Sequence, residues 1–287
     1  MADTVGDLIS DCQQHLLGMH RGKYDRVGGS GIDADDTDVT LEFGNTGVQA
    51  GMYLAIEDEL VYVWAWNSTS KIATIQRGLL GSEGAAHALG ALVEVNPRYF
   101  RFQIRREIGK EIRSWSPRLY AVVTEELNIN SGLRAVDLSA LSAEPLHVLD
   151  VLRGAFSGYD SLPAVRYRWE RSINKLFLEE ITEGTTLTIT YARDFDTSTM
   201  TDGTEITDLL LSQDCIDIVP YGVAWRIVSS REIGRAEMDA QAEPRDSAEV
   251  PPGHIIQTSR QMKAMRDERI AEAARLLRHK WGVRISA

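Results

Sequence analysis

Apolar residues recur at three- and four-residue steps from Val5 through Leu8, Cys12 and Leu16 to Met19. This predicts a short amphipathic helix over 3–20, with Asp3 or Thr4 placed to cap its start. The next stretch, 21–38 (RGKYDRVGGSGIDADDTD), is glycine-rich and then acidic, and reads as a mobile connector. The helix is therefore expected to be a tethered arm that docks on a neighbour. In 52–66 (MYLAIEDELVYVWAW) apolar residues fall on both alternation classes. That predicts two strands joined at Glu57-Asp58 and covered on both faces, as in a barrel or a stacked assembly. Residues 72–76 and 91–95 read as a strand and a returning strand around a loop containing Gly78, Gly81, Gly84 and Gly90.

Asn96-Pro97 opens a second helical pattern, in which Ile104, Ile108, Ile112 and Trp115 form an apolar stripe closed by Pro117. From 119 to 194 the texture turns to β: LYAVVTEEL, LRAVDLS, LHVLDVLRG, AVRYRWER, KLFLEE and TLTITYARDF are six short strands separated by turn signals. A strongly apolar helix follows over 215–233, with Pro220 and Gly222 setting its start or a kink. Residues 236–253, with Pro244, Pro251 and Pro252, read as a polar linker. The last helix, 254–281, carries Met262, Met265, Ile270, Ala273, Leu277 and Trp281 on one side. The expected fold class is α+β: terminal helices, a small antiparallel β module, a β-sandwich (jelly-roll-like) domain and a helical C-terminal segment. The expected units are 1–38, 39–97, 98–118, 119–214 and 215–287, consistent with a chain of 287 residues.

Charge changes this picture. The net charge of −11 argues against a protein that coats nucleic acid. It is unevenly spread: 32–60 holds eight acids and no base, while 98–118 holds seven bases against Glu107 and Glu111, and 260–284 holds eight against Asp267, Glu268 and Glu272. Arg101, Arg105, Arg106, Lys110 and Arg113 of the first basic helix are candidates to face a partner or a DNA path. So are Lys263, Arg266, Arg269, Arg275 and Arg278 of the second. The alternative is a pair of solvated helix faces. Cys12 and Cys215, the only cysteines, lie in apolar contexts and read as buried thiols of a reducing compartment. No secretory pattern precedes the first helix and no apolar run approaches the roughly 18 residues of a membrane span, so synthesis and assembly in a cytosol, with no membrane partner, are expected.

Candidate chemistry is sparse. Glu57, Asp58 and Glu59 crowd one turn, and Arg77 and His87 are the bases expected to lie beside it. Structural pairing of Glu57, Glu59, Arg77 and His87 accounts for them better than acid–base catalysis, because no nucleophile accompanies them. The enzymatic alternative, a hydrolase of cell-wall polymer, would use Glu57, Glu59 and His87. Cys12 and His15 share a helix face, but His20 lies well off it, so no metal set forms. The Gly28-Gly29-Ser30-Gly31 cluster lacks the lysine and strand–helix frame of a phosphate loop, and HExxH, CxxC and GxSxG patterns do not occur. No catalytic residue, metal or cofactor is therefore expected. The alternation of Arg166, Tyr167, Arg168, Trp169 and Arg171 suggests a sugar or nucleic-acid face, but strand alternation puts Tyr167 and Trp169 together and the arginines opposite, so a core face backed by a solvated one explains it better.

An acidic hairpin (IEDELVYV) is followed by a strand, Arg-Gly, a Gly-Ser step, a spaced histidine, then glycine and an apolar strand. This order resembles a module recurrent in virion proteins of tailed bacteriophages. The matching residues are Glu57, Glu59, Arg77, Gly78, Gly81, Ser82, His87, Gly90 and Val93, spread over 51–95. The C-terminal end, with its YG-A-WR run and RDERIAEAARLLRHKW, is similar to neck proteins that join portal to tail. The resemblance implies a head-to-tail connector (adaptor): a homo-oligomeric ring, twelve-fold by resemblance, between the portal protein and the next neck or tail protein, located in the virion and crossed by DNA only as the passing genome. A dense basic lining would hold phosphates and hinder that passage, so most of the arginines are expected to meet protein. The alternative placement is a minor tail or baseplate protein whose β-sandwich binds cells or carbohydrate.

Overall fold

A computed structural model describes residues 4–17, 23–44, 46–129, 135–154, 163–179, 185–198, 200–241 and 254–281. Its first sheet contains β1 (Lys23–Arg26), β2 (Asp38–Thr40), β3 (Tyr53–Ile56), β4 (Glu59–Asn67), β5 (Ile72–Gln76) and β6 (Leu92–Val95). All neighbours are antiparallel, in the order β1-β6-β3-β4-β5-β2. The sheet curls until its edge strands meet. Val27 bridges Leu41, the Gly28 N–H donates to the Thr40 carbonyl at 2.7 Å, and the Glu42 N–H donates to the Arg26 carbonyl at 2.9 Å. Strand alternation sends Leu54, Ile56, Val61, Val63, Val93 and Val27 into the enclosed core. Meeting edges leave fewer unpaired backbone groups for other chains to pair with.

Two expectations change here. The stretch 21–38 is not a loose connector where it is described: it supplies β1 and the seam, so the β unit begins at Lys23 and not at residue 39. The strands at 72–76 and 92–95 exist but are not partners, since β3 and β4 lie between them. The glycine loop therefore crosses the mouth of the sheet over the Glu57-Asp58 turn. Sequence proximity favoured a hairpin, but the antiparallel β3–β4 pair had already taken the adjacent edges.

The second β body holds β7 (Ala121–Asn128), β8 (Ala135–Asp137), β9 (His147–Arg153), β10 (Tyr167–Glu170), β11 (Lys175–Leu178) and β12 (Thr186–Arg193). They form two three-stranded antiparallel sheets, β7-β12-β9 and β10-β11-β8. Val136, Val151, Leu176, Leu178, Ile189 and Tyr191 from both sheets share one core, which makes a β-sandwich. Each sheet has three described strands, where a jelly roll has four. Tyr167 and Trp169 pack against this core while Arg168 is exposed, as strand alternation demands.

The helices form the third body: α1 (Val5–Leu17), α2 (Arg101–Arg113), α3 (Gln213–Ile216), α4 (Ile218–Gln241) and α5 (His254–Lys280). Ile104, Ile108, Ile112 and Trp115 of the α2 stripe are fully or almost fully buried against α1, α4 and α5 residues. α1 is not a tethered arm. Val5, Leu8, Ile9 and Cys12 have no exposed surface, and the Val5 and Gly6 N–H groups donate to the Thr204 and Asp202 carbonyls at 2.9 Å each. Burying each such side chain contributes about 2 kcal/mol, which outweighs the freedom of a short glycine-rich tether. The segments expected as separate units, 1–38, 98–118 and 215–287, thus contribute helices to one core. The apolar helix from 215 is broken at Asp217 and then continues as α4 through Gln241, beyond its expected end at 233. The rest of the expected linker, 242–253, lies outside the described residues. On α5, Ile270, Ala273 and Ala274 are buried, but Met265 faces solvent.

Candidate functional site

Glu59 opens β4 and is buried, with Arg77 beyond β5 and His87 in the crossing loop converging on it. Arg77 donates from Nε to Glu59 Oε1 at 2.6 Å and from Nη2 to Oε2 at 2.5 Å, the bidentate geometry for which guanidinium is suited. Its remaining donors reach the carbonyls of Asp33 at 2.6 Å, Asp36 at 3.4 Å and Ala85. His87 Nε2 lies 2.9 Å from Glu59 Oε2 and Nδ1 lies 2.8 Å from Glu57 Oε2. The Gly78 and Ala85 N–H groups donate to Glu59 Oε1 and Oε2 at 3.1 and 3.2 Å. The structure therefore brings Glu57, Glu59, Arg77 and His87 into one cluster. Gly31 is required beside it: its φ is +89°, and a Cβ there would lie 2.7 Å from the His87 carbonyl oxygen.

The electrostatics follow from this packing. Burial pushes the Glu59 carboxyl up, but hydrogen bonds from Arg77, His87 and the Ala85 N–H outweigh it and hold the pKa at about 2. Burial pushes His87 down, but the Glu59 and Glu57 carboxylates outweigh it and raise its pKa above the ordinary value. At neutral pH Glu59 is a fixed anion between two partners, and its lone pairs point at donors. Ser82 is equally committed: its Oγ accepts from the Leu60 N–H at 3.0 Å and donates to the Leu79 carbonyl at 2.8 Å. What this arrangement does chemically is brace a loop. The loop between Arg77 and Ala91 presents Leu80 and Leu89 outward, 65% and 63% exposed, and holds Leu80 at φ 52°, a left-handed conformation costly for a branched side chain.

The basic residues of the two helices have mixed fates. Arg101 pairs with Asp202 at 2.7 Å, and Arg105 pairs with Asp58, tying α2 to the acidic turn. Lys110 and Arg106 reach Glu107 at 2.6 and 3.9 Å, and Arg113 reaches the Thr197 hydroxyl at 3.4 Å. Lys263 stands over the Trp225 ring at 5.3 Å. Arg269 is held by Asp217 and Glu272. Arg266 corrects the expectation of a partner-facing surface, because it is buried and donates to Glu111 at 2.5 Å. Arg275 and Arg278 are exposed, and no acid among the described residues lies within ion-pair distance of either.

Glu111, which enters the sequence pattern only as a charge, has no exposed surface and accepts from Arg266, from Arg226 Nε at 2.8 Å and from the Trp115 indole N–H at 2.8 Å. The signal was present, since position 111 lies on the same face as Ile104, Ile108 and Trp115, and an acid on an apolar stripe requires buried partners. Asp25 is a second such carboxylate. It is buried, and its carboxylate accepts from the Phe43 and Gly44 N–H groups at 3.0 Å each and from the Thr46 hydroxyl at 3.1 Å. It closes the seam of the first sheet.

Cys12 is fully buried, and desolvation drives its thiol pKa far above the ordinary value. His15 is exposed and meets the Tyr221 ring edge-on at 5.4 Å, while His20 lies outside the described residues. Among the described residues no group of three or more His, Cys, Asp or Glu side chains is placed to hold a metal ion, and no helix is long and apolar enough to cross a membrane. No protein-family model and no curated protein matches the chain.

Proposed function

We propose that this chain is a structural assembly protein of a tailed-phage virion, acting as a head-to-tail connector whose copies form a ring between portal and tail. The observation that carries this reading is the braced loop. Four ionisable side chains are spent on holding a turn that displays Leu80 and Leu89 to solvent. A rigid, preorganised apolar display loses little entropy on docking, which favours a protein partner. Further exposed apolar side chains, Tyr24, Trp64 and Leu92 on the same sheet and Phe43 beside its seam, extend the surface available to neighbours. The residues that carry the resemblance to virion proteins (Glu57, Glu59, Arg77, Gly78, Ser82 and His87) are the ones that build and hold this loop.

In this role the mechanism is assembly. The loop and the outer sheet face dock on the portal or on adjacent copies, exposed bases of α5 meet acidic segments of neighbours, and DNA is passed without being gripped. The β-sandwich offers less to a glycan, because Tyr167 and Trp169 turn toward its core, so the baseplate alternative has weaker support. Native mass spectrometry and electron microscopy of the purified chain, alone and with portal protein, test the proposal. The expected result is a closed ring that binds portal, with binding lost in an L80D/L89D variant of unchanged melting temperature. A chain that stays monomeric and ignores portal at all concentrations overturns it.

A further inference from the structure

Between α1, the first sheet and the start of α2 lies a cleft of about 480 Å³, lined among others by Tyr24, Glu57, Leu92, Glu94, Arg101 and Asp202. Alternation along β6 explains its acid. Val93 and Val95 point into the sheet core, so Glu94 points out, in a row with Tyr24 on β1 and Ala55 on β3. Glu94 is only 7% exposed, yet among the described residues nothing donates a hydrogen bond to its carboxyl or comes within ion-pair distance. Arg101, the nearest cation, is held by Asp202. The Glu57 side chain, 59% exposed, adds a second acid. Leu92 and Tyr24 supply exposed apolar wall.

A buried carboxyl without a donor is costly. Burial accordingly raises the Glu94 pKa above the ordinary value, against the opposing field of Arg101. A group arriving from outside removes the cost if it brings a positive charge and an aliphatic stem. That describes a lysine or arginine side chain. The same molecule carries the complement. Arg275 and Arg278, three residues apart on α5, share a face, are exposed and have no described acid in reach, and Leu276 beside them is also exposed. One copy cannot bring the two together. Arg101, at the start of α2, lines the cleft, whereas Leu276 and Leu277 of α5 line a second cleft with Tyr120, beyond the end of α2, and the helix between them spans about 20 Å.

We infer that the acidic cleft beside Glu94 receives the Arg275–Arg278 face of α5 from a second copy of this chain. Donor and acceptor are different patches, so the contact is heterologous and propagates head to tail, closing as a ring or running on as a filament. The inference rests on the assembly reading and specifies the contact between copies.

The test is sedimentation velocity of the full-length chain at low salt, with the E94Q and R275E/R278E variants and their mixture. Both R275E and R278E change exposed positions, so that variant is expected to keep its melting temperature and to self-associate at least tenfold more weakly. E94Q, nearly isosteric, is expected to do the same. Mixed together, the two variants retain one intact donor and one intact acceptor, and are expected to form a 1:1 dimer that grows no further. If R275E/R278E associates like the parent chain, the inference is overturned while the assembly reading stands. If the mixture yields no dimer, it is overturned as well. A parent chain that is monomeric with and without portal overturns both.

Discussion

Gly222 on α4 stands where any side chain would strike the carboxyl of Glu111 on α2: a built Cβ falls well inside contact distance of Glu111 Cγ, Cδ and Oε1. The glycine lets α4 approach α2 closely enough for Arg226 to reach the same carboxylate that Arg266 and Trp115 hold. An alanine there must displace a side chain that three donors fix. Gly222→Ala is expected to cost about 2–3 kcal/mol by overpacking, read as a lower urea midpoint with unchanged slope.

The Glu111–Arg266 pair is buried, and removing Glu111 leaves Arg266 only the half-exposed Asp267 carboxylate at 2.7 Å and the Ser114 hydroxyl. Glu111→Leu alone is expected to cost about 3 kcal/mol. Adding Arg266→Met to Glu111→Leu is expected to restore a good part of that loss, because no uncompensated charge then remains on this pair. Chemical denaturation of the two single variants and the double variant gives the coupling energy. Strict additivity would contradict the geometry.

The loop cluster sets a pH window. Glu59 is depressed from 4.5 to about 2, so its stabilisation is fully present above 4.5 and is lost as pH falls toward 2. His87 is raised above 6.5, so its stabilisation is fully present below 6.5 and is lost as pH rises through its folded value. The first sheet is expected to be most stable between roughly pH 4.5 and 6.5. Melting temperature against pH checks this, and His87→Gln is expected to flatten the alkaline side of the curve and, by removing one of the hydrogen bonds that depress Glu59, to make the acid side shallower.

Arg77 is expected not to tolerate lysine. Its guanidinium serves both oxygens of Glu59 and three backbone carbonyls from one rigid plane, which an ammonium cannot reproduce. Arg77→Lys should lower stability by about 2 kcal/mol. It should also speed amide hydrogen exchange in residues 33–36 and 78–87, with exchange in the β-sandwich unchanged.

Much of this architecture can be read from local pattern. The six sandwich strands, the α2 stripe of Ile104, Ile108, Ile112 and Trp115, and the β3–β4 turn at Glu57-Asp58 all follow from periodicities of two and 3.6, and the structure has them. The meeting of Glu57 and Glu59 with Arg77 and His87 was legible because like charges crowded at one turn require bases. Periodicity reports that a face is buried and is silent on what buries it. The α1 pattern was clear, but its partners in α4 and the 202–211 segment lie too far along the chain to infer from it.

By itself, then, the sequence determined the α+β class, the identity of most elements and the chemistry of the loop cluster, because each depends on residues close in the chain or on a charge imbalance within it. Only the tertiary structure decided that β5 and β6 lie apart, that the glycine-rich segment closes a sheet, and that Arg266 is buried on Glu111 while Arg275 and Arg278 stay exposed. Those outcomes depend on groups as far apart as 155 residues. Which arginine is used inside the molecule and which stays exposed is set by where α5 lands on α2, a matter of packing that no window of sequence contains.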